Sequence, residues 1–173
     1  DQRLRSLNDA QGWLETADAT LTSSLDSLGR AKEIAVRAGN TGALADPVAR
    51  QALAAEIRSI RSEMLALANT NYGNRSIFNG TASGAAYDTN GVYLGNSSSI
   101  VRDVAPSTSI AVNLTGPQVF GTAGGPVGDV FETLDRMATA IANGDSAAMA
   151  TEHTNLDGFR NTVGAATVEI GTR

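Results

Sequence analysis

One stripe dominates this chain. Leu7, Ala10, Leu14, Ala17, Leu21, Ser24, Leu28, Ala31, Ala35 and Ala38 recur at 3-4-3-4 spacing, with a single polar member, which is the signature of one face of a long helix. Leu4 and Leu25 widen the stripe, and the first proline is Pro47, so nothing interrupts a helix from about residue 2 to 38. Such a helix is about 55 Å long at its ordinary rise, whereas a compact sphere of this chain length is about 40 Å across. The expected molecule is a rod with something attached.

Gly39-Asn40-Thr41-Gly42 has the character of a helix stop and loop, and Asp46-Pro47 that of a restart, an acceptor side chain followed by a proline at the first helical position. Leu53, Ile57, Ile60, Met64 and Leu67 then repeat the spacing, which predicts an antiparallel hairpin joined by about seven residues. From about Tyr72 the pattern changes to turn chemistry and short β-favouring runs at Val92–Leu94, Ser99–Val104 and Ser109–Leu114. Thr115-Gly116-Pro117 and the glycine-rich run Gly121–Pro126 read as turns that close this region. Helical spacing returns with Val127, Val130, Leu134, Met137 and Ile141. It resumes behind Asp145 with Met149, Leu156, Val163 and Ile170 at intervals of seven, Phe159 and Ala166 lying between.

The expected class is α+β: an elongated antiparallel helical bundle over residues 1–71 and 127–173, with a small antiparallel β subdomain inserted at 72–126. Its helix-seam core is expected to comprise Leu7, Leu14, Leu21, Leu28, Leu53, Ile57, Ile60, Met64, Leu67, Leu134, Ile141, Leu156, Val163 and Ile170. Hydrophobic residues make up 42% of the chain and aromatics 5%, so such a core is built of aliphatic side chains and alanine. The chain begins at Asp1 without a methionine, and its last stripe runs on to Arg173. Both features fit a piece of a longer chain whose stripes continue into coiled coils with other subunits.

The inventory for chemistry is thin. With no cysteine and one histidine, thiol nucleophiles, disulfides, zinc–cysteine sites and multi-histidine metal sites are excluded. Basic residues number 13 against 18 acidic, Lys32 is the sole lysine, and no apolar run spans a bilayer, so neither nucleic-acid binding nor membrane insertion is expected. Gly121–Gly128 precedes a helix but lacks the Gly-Lys-Ser/Thr ending of a phosphate loop. His153 with Asp157 and Glu152 is the only acid–base set that can be drawn, and a surface ion pair is the simpler reading. Arg50, Arg58 and Arg61 lie among Glu56 and Glu63, a balanced helix face in contact with water or protein. Asn74, Asn79, Asn96 and Asn113 each begin a glycosylation triplet, common by chance in a turn-rich region. A surface-binding module is the alternative to an assembly protein, and it would need Tyr72, Phe78, Tyr87, Tyr93 and Phe120 exposed together. The surroundings of Trp13, next to the stripe, stay open between a contact role and packing against another helix.

The order of elements resembles the flagellin superfamily. Leu67-Ala68-Asn69-Thr70 followed by Gly73-Asn74-Arg75-Ser76-Ile77-Phe78-Asn79-Gly80-Thr81 is similar, more narrowly, to a stretch of its hook-associated members at the hook–filament junction. Gly91–Asn96 with Ile100, Val112–Gly116 leading to Val119-Phe120-Gly121, and Asp129–Leu134 resemble the same group. Phe78-Asn79-Gly80 is also similar to flagellin itself, so a filament subunit is the alternative within the superfamily. The resemblance implies a structural, non-enzymatic protein without cofactors, exported without a cleaved signal peptide to the extracellular flagellum. Its implied partners are neighbouring copies of itself, another hook-associated protein, flagellin and an export chaperone.

Overall fold

The computed structural model describes residues 2–105 and 108–173. Helix α1 (Gln2–Gly39) is followed by a short α2 (Thr41–Ala45), α3 (Pro47–Ala68), strands β1 (Asn71–Tyr72), β2 (Arg75–Ser76), β3 (Val101–Ala105) and β4 (Thr108–Ala111), then α4 (Gly116–Phe120), α5 (Val130–Asn143) and α6 (Ser146–Thr172). The four longer helices form a ring in which α1 packs on α3 and α6, and α5 packs on the same two. Two separate two-stranded antiparallel sheets, β1-β2 and β3-β4, lie outside the ring.

Helix α1 buries a face of small residues and leucines, with Leu21, Leu28 and Ala31 fully enclosed. Small side chains let neighbouring helices approach closely. The polar members of the same face are satisfied locally: the hydroxyls of Ser24 and Ser27, both wholly buried, donate to the carbonyls of Thr20 and Ser23 at 2.8 and 3.0 Å. Helix α3 contributes Leu53, Ile57, Ile60 and Met64, α5 contributes Leu134 and Ile141, and α6 contributes Leu156, Val163 and Ile170, all buried.

Leu7, Leu14 and Leu67 differ from the seam assignment: each is only half-buried. A straight α-helix has 3.6 residues per turn, so a strict seven-residue repeat drifts by about 20° per heptad. Measured from Leu21, Leu14 is one heptad away and Leu7 two, both on the same flank, and the buried positions there pass to Ala10, Trp13 and Ala17. On α3 the same drift passes the last buried position from Leu67 to Ala68.

Trp13 is thereby turned inward. It is 2% exposed and meets Tyr72 edge-on, with ring centroids 5.8 Å apart. Gly12 beside it leaves the space that the Tyr72 ring occupies, since a Cβ there would collide with it.

Residues 72–126 are less regular than a β subdomain. Of Val92–Leu94 only Tyr93 pairs, in an isolated bridge to Tyr87, and Thr115-Gly116-Pro117 starts α4 instead of closing a turn. Gln118 Oε1 accepts both the amide and the hydroxyl of Thr115 at 2.8 and 3.0 Å, and Pro117 sits in the first turn. Helix α5 starts at Val130 rather than Val127, which is 45% exposed in the preceding loop. The cause is the cap at Asp129, whose Oδ1 accepts the amide of Glu132 at 2.8 Å while Glu132 Oε2 accepts the amide of Asp129 at 3.1 Å.

Asparagine side chains supply much of what ladders do not. Asn69 donates to the Tyr87 carbonyl and accepts its amide, Asn79 donates to the Gly84 carbonyl, Asn96 joins Thr81 to Ser98, and Asn113 joins Ser98 to Ile100. Phe78, Tyr87, Phe120 and Phe131 form a buried aromatic cluster with successive centroids 5.1 to 6.1 Å apart. Phe131 belongs to α5, so the insertion and the helical ring share one continuous core. Gly91, at φ +91, lies against the Phe131 ring where any side chain would crowd it.

The seam and the Asp129 cap each generate an expected outcome. Leu21→Asp places an unpaired charge in a fully enclosed site and costs at least about 4 kcal/mol, seen as loss of the cooperative circular-dichroism melt. An unchanged melting temperature would show that this face is not core.

The Asp129 carboxyl is pushed above the usual carboxylate range, chiefly by burial, against the stabilising hydrogen bond from the Glu132 amide. The folded state therefore holds this proton more tightly than the unfolded chain, and ionisation lowers stability as pH rises through the carboxylate range. Asp129→Asn keeps the capping acceptor without the charge and should melt at or above the parent at pH 7, the gap shrinking as pH falls. Asp129→Ala should cost about 1 kcal/mol. A loss for Asp129→Asn at pH 7 equal to that of Asp129→Ala would contradict this assignment.

Candidate interaction surfaces

The side chains that could carry chemistry are occupied structurally. His153 Nε2 lies 3.9 Å from Asp157 Oδ2, while Asp157 Oδ1 is bound by Lys32 from α1. Lys32 also holds the Asp157 carboxyl below its ordinary range, first through this hydrogen bond. Glu152 points away from that pair. Its buried carboxylate receives Arg136 Nε and Nη2 at 2.8 and 3.1 Å and Asn155 at 2.9 Å. The drawn set of His153, Asp157 and Glu152 therefore does not converge on one point.

The glycine-rich loop is no phosphate cradle either. Arg136 donates to the Val127 carbonyl at 2.7 Å and Glu132 accepts the Gly124 amide at 3.4 Å, so protein groups hold the loop. Among the described residues, no group of three His, Cys, Asp or Glu side chains is placed to bind a metal ion, and no helix is long and apolar enough to cross a membrane.

The aromatic set needed by a surface-binding module is not displayed. Phe78, Tyr87 and Phe120 are buried, Tyr72 and Tyr93 half-buried, and the Tyr93 hydroxyl donates to the carbonyls of Phe78 and Asn96 at 3.0 and 2.9 Å. Of the glycosylation triplets, Asn79 and Asn113 are buried.

Arginine forks tie irregular segments to the helices. Arg61 Nε reaches Asp135 at 2.7 Å and its Nη2 the Asn90 carbonyl at 2.8 Å, linking α3, α5 and the 88–91 turn. Arg102 on β3 pairs with Asp9 of α1 at 2.8 Å, and Arg173 donates to the carbonyls of Ala111 and Asn113 at 2.8 and 3.0 Å. Arg50 closes the hairpin tip, donating to the carbonyls of Leu44 and Ala142. A planar fork can serve two acceptors at once, which a lysine ammonium on a flexible stem does less rigidly. Sequence reasoning saw a balanced arginine face on α3, but acceptors such as the Asn90 and Ala142 carbonyls are distant in sequence and carry no local signal.

An open groove of 680 Å³ lies at the end of the ring where α1 begins and α6 ends. Leu4, Leu7, Ala10 and Leu14 of α1, Ile110 of β4 and Ile170 of α6 make it apolar, and Glu15 and Asp18 stand at one end. Leu4 is 62% exposed. The half-burial of Leu7 and Leu14 thus has a place: these residues form the floor of a surface and not the centre of the bundle.

Comparison with known proteins agrees with this architecture. Residues 1–83 match the family described as the bacterial flagellin N-terminal helical region. "Flagellar hook-associated protein 3" of Escherichia coli (strain K12) is 31% identical over 179 residues, covering 90% of this chain and 56% of the relative, so the chain spans little more than half of that protein's length. The crystal structure of Bacillus cereus FlgL has 26% identity and a TM-score of 0.83, covering 99% of this chain and 82% of the other. A structure titled as a putative flagellar hook-associated protein from Vibrio parahaemolyticus has 22% identity and a TM-score of 0.89, covering 99% and 79%, and bears on the fold alone. The chain is thus similar to the bacterial flagellin N-terminal helical region over its first 83 residues and to hook-associated proteins over nearly its whole length, with the same helical architecture.

Proposed function

We propose that this chain is the body of a structural protein at the hook–filament junction of a bacterial flagellum. The observation that carries this reading is the likeness to hook-associated protein 3 across 90% of the chain. The geometry supports a mechanical role: long helices share one core, the insertion is welded into it, and the drawn catalytic set does not converge. Its partners in this reading are neighbouring copies, another hook-associated protein and flagellin, with a chaperone accompanying it to the export channel.

A chain that threads such a channel unfolded is served by having no cysteine to cross-link. Its destination is extracellular, reached without a cleaved signal peptide. The remaining seam assignments serve the same end, holding the rod stiff while exposed faces make the contacts. The flagellin match over residues 1–83 favours one other reading, a filament subunit.

Deleting the gene and imaging the cells separates the two. The junction role predicts intact hooks without filaments and flagellin shed into the medium. Filaments of normal length on the deletion strain would contradict it, and bare hooks with no shed flagellin would assign the chain to the filament instead.

A further inference from the structure

We propose that Asn90-Gly91 is a site of intramolecular modification, where the Gly91 amide nitrogen converts Asn90 to aspartate and isoaspartate at a rate held down by Arg61. The proposal stands on the turn itself and does not depend on the junction reading.

An asparagine followed by glycine offers this reaction little steric resistance, because no Cβ stands beside the attacking nitrogen. A base takes the Gly91 N–H proton, the nitrogen forms a bond to Asn90 Cγ, and the Cγ–Nδ2 bond breaks with release of ammonia. Water then opens the resulting imide. Cutting its bond to Cγ leaves aspartate, and cutting its bond to the backbone carbonyl carbon leaves isoaspartate, whose main chain runs through the side-chain methylene. Water is the only co-reactant consumed.

The sequence holds three such pairs, Asn79-Gly80, Asn90-Gly91 and Asn143-Gly144, and the fold separates them. Asn79 is wholly buried, its Nδ2 donates to the Gly84 carbonyl at 3.1 Å, and its Oδ1 fills the space that a Cβ on Gly95 would need. That side chain turns towards Gly80 only when the core opens. Asn143 is exposed but ends α5, where the Gly144 amide donates back to the Ile141 carbonyl at 3.0 Å and the next residue, Asp145, caps α6. Moving that peptide unwinds two helix ends together. Asn90 is exposed in a surface turn, and its side-chain carboxamide has no hydrogen-bond partner among the described residues.

What restrains Asn90 is the peptide it shares with Gly91. Bringing the Gly91 nitrogen to Cγ requires rotation about the Asn90 Cα–C bond, which swings both polar groups of that peptide. Its carbonyl accepts Arg61 Nη2 at 2.8 Å, and its N–H donates to the Asp88 carbonyl at 3.1 Å. Arg61 is steadied in turn by Asp135, 2.7 Å from its Nε. Two hydrogen bonds in a turn yield to a local opening, whereas Asn79 waits for the core. Isoaspartate does not fit the same frame, since its extra methylene displaces the carbonyl that Arg61 holds, in a turn whose Gly91 packs on the Phe131 ring.

The test incubates the folded chain at mildly alkaline pH and follows each asparagine by peptide mass spectrometry, with electron-transfer fragmentation to tell isoaspartate from aspartate. A sample in urea gives each pair its unrestrained rate. Relative to those rates, Asn90 in the folded chain should react at least about tenfold faster than Asn79 and Asn143, as local opening differs from opening of the core or of helix ends. Arg61→Ala should speed Asn90 about three- to tenfold, the strength of one hydrogen bond, while Asn79 in the same molecule gauges global stability. Should Arg61→Ala unfold the chain, Asp135→Asn, which loosens the same guanidinium from its other side, takes its place. Reaction at Asn79 or Asn143 as fast as at Asn90, or an Asn90 rate unaltered in the folded variant, would overturn the proposal. So would a rise at Asn79 equal to that at Asn90, which would make unfolding and not the Arg61 fork the control.

Discussion

Close approach of helices along the small-residue face of α1 is the constraint from which the rest of this structure follows. A helix running from Gln2 to Gly39 cannot be folded back on itself within the chain length available, so its partners must come alongside it. Alanine and serine at alternate seam positions let α3 and α6 do so, and the buried serine hydroxyls return to carbonyls of the preceding turn. Helix α5 then closes the ring from the far side. Of the large aromatic side chains, Phe78, Tyr87, Phe120 and Phe131 gather where the insertion meets α5.

That second junction decides how the insertion is held. Among the described residues of 71–111, strand pairing comes to two short ladders and the isolated Tyr87–Tyr93 bridge, which alone would hold an insertion poorly. What fixes it is the packing of Phe78, Tyr87 and Phe120 on Phe131, the asparagine bridges, and the arginine forks from Arg61, Arg102 and Arg173. The arginine forks and most of the ring contacts join segments far apart in sequence. The insertion thus shares the packed core of the helices and is not hung from them by a flexible tether.

The long elements were legible because their signals are local and repeated. The stripes of α1, α3 and α6, the Asp46-Pro47 restart and the Asp145 cap can each be read within a few residues. At the start of α1 the ordinary 3.6-residue turn departs from a strict heptad, so Leu7 and Leu14 are only half-buried and Trp13 turns inward. Helix α4 was within reach, since Thr115, Pro117 and Gln118 form a start signal that glycine-rich neighbours obscured. The aromatic cluster and the arginine ties are out of reach, as most of their partners lie 29 to 93 residues away and no periodicity marks them. The groove was hidden for the same reason: Ile110 and Ile170 face Leu4 only after folding.

The central claim is that the insertion and the helical ring are one cooperative body. Native-state hydrogen exchange followed by fragment mass spectrometry tests it most directly, because it reports the opening free energy of each segment separately. The account predicts that amides of α1 around Leu21–Ala31 and those around Ile77–Phe78 and Val119–Phe120 exchange only through global unfolding, with the same free energy and the same dependence on denaturant. An insertion that opens at markedly lower free energy while α1 stays protected would contradict it, and would make residues 72–126 a separately folding unit attached to a rod.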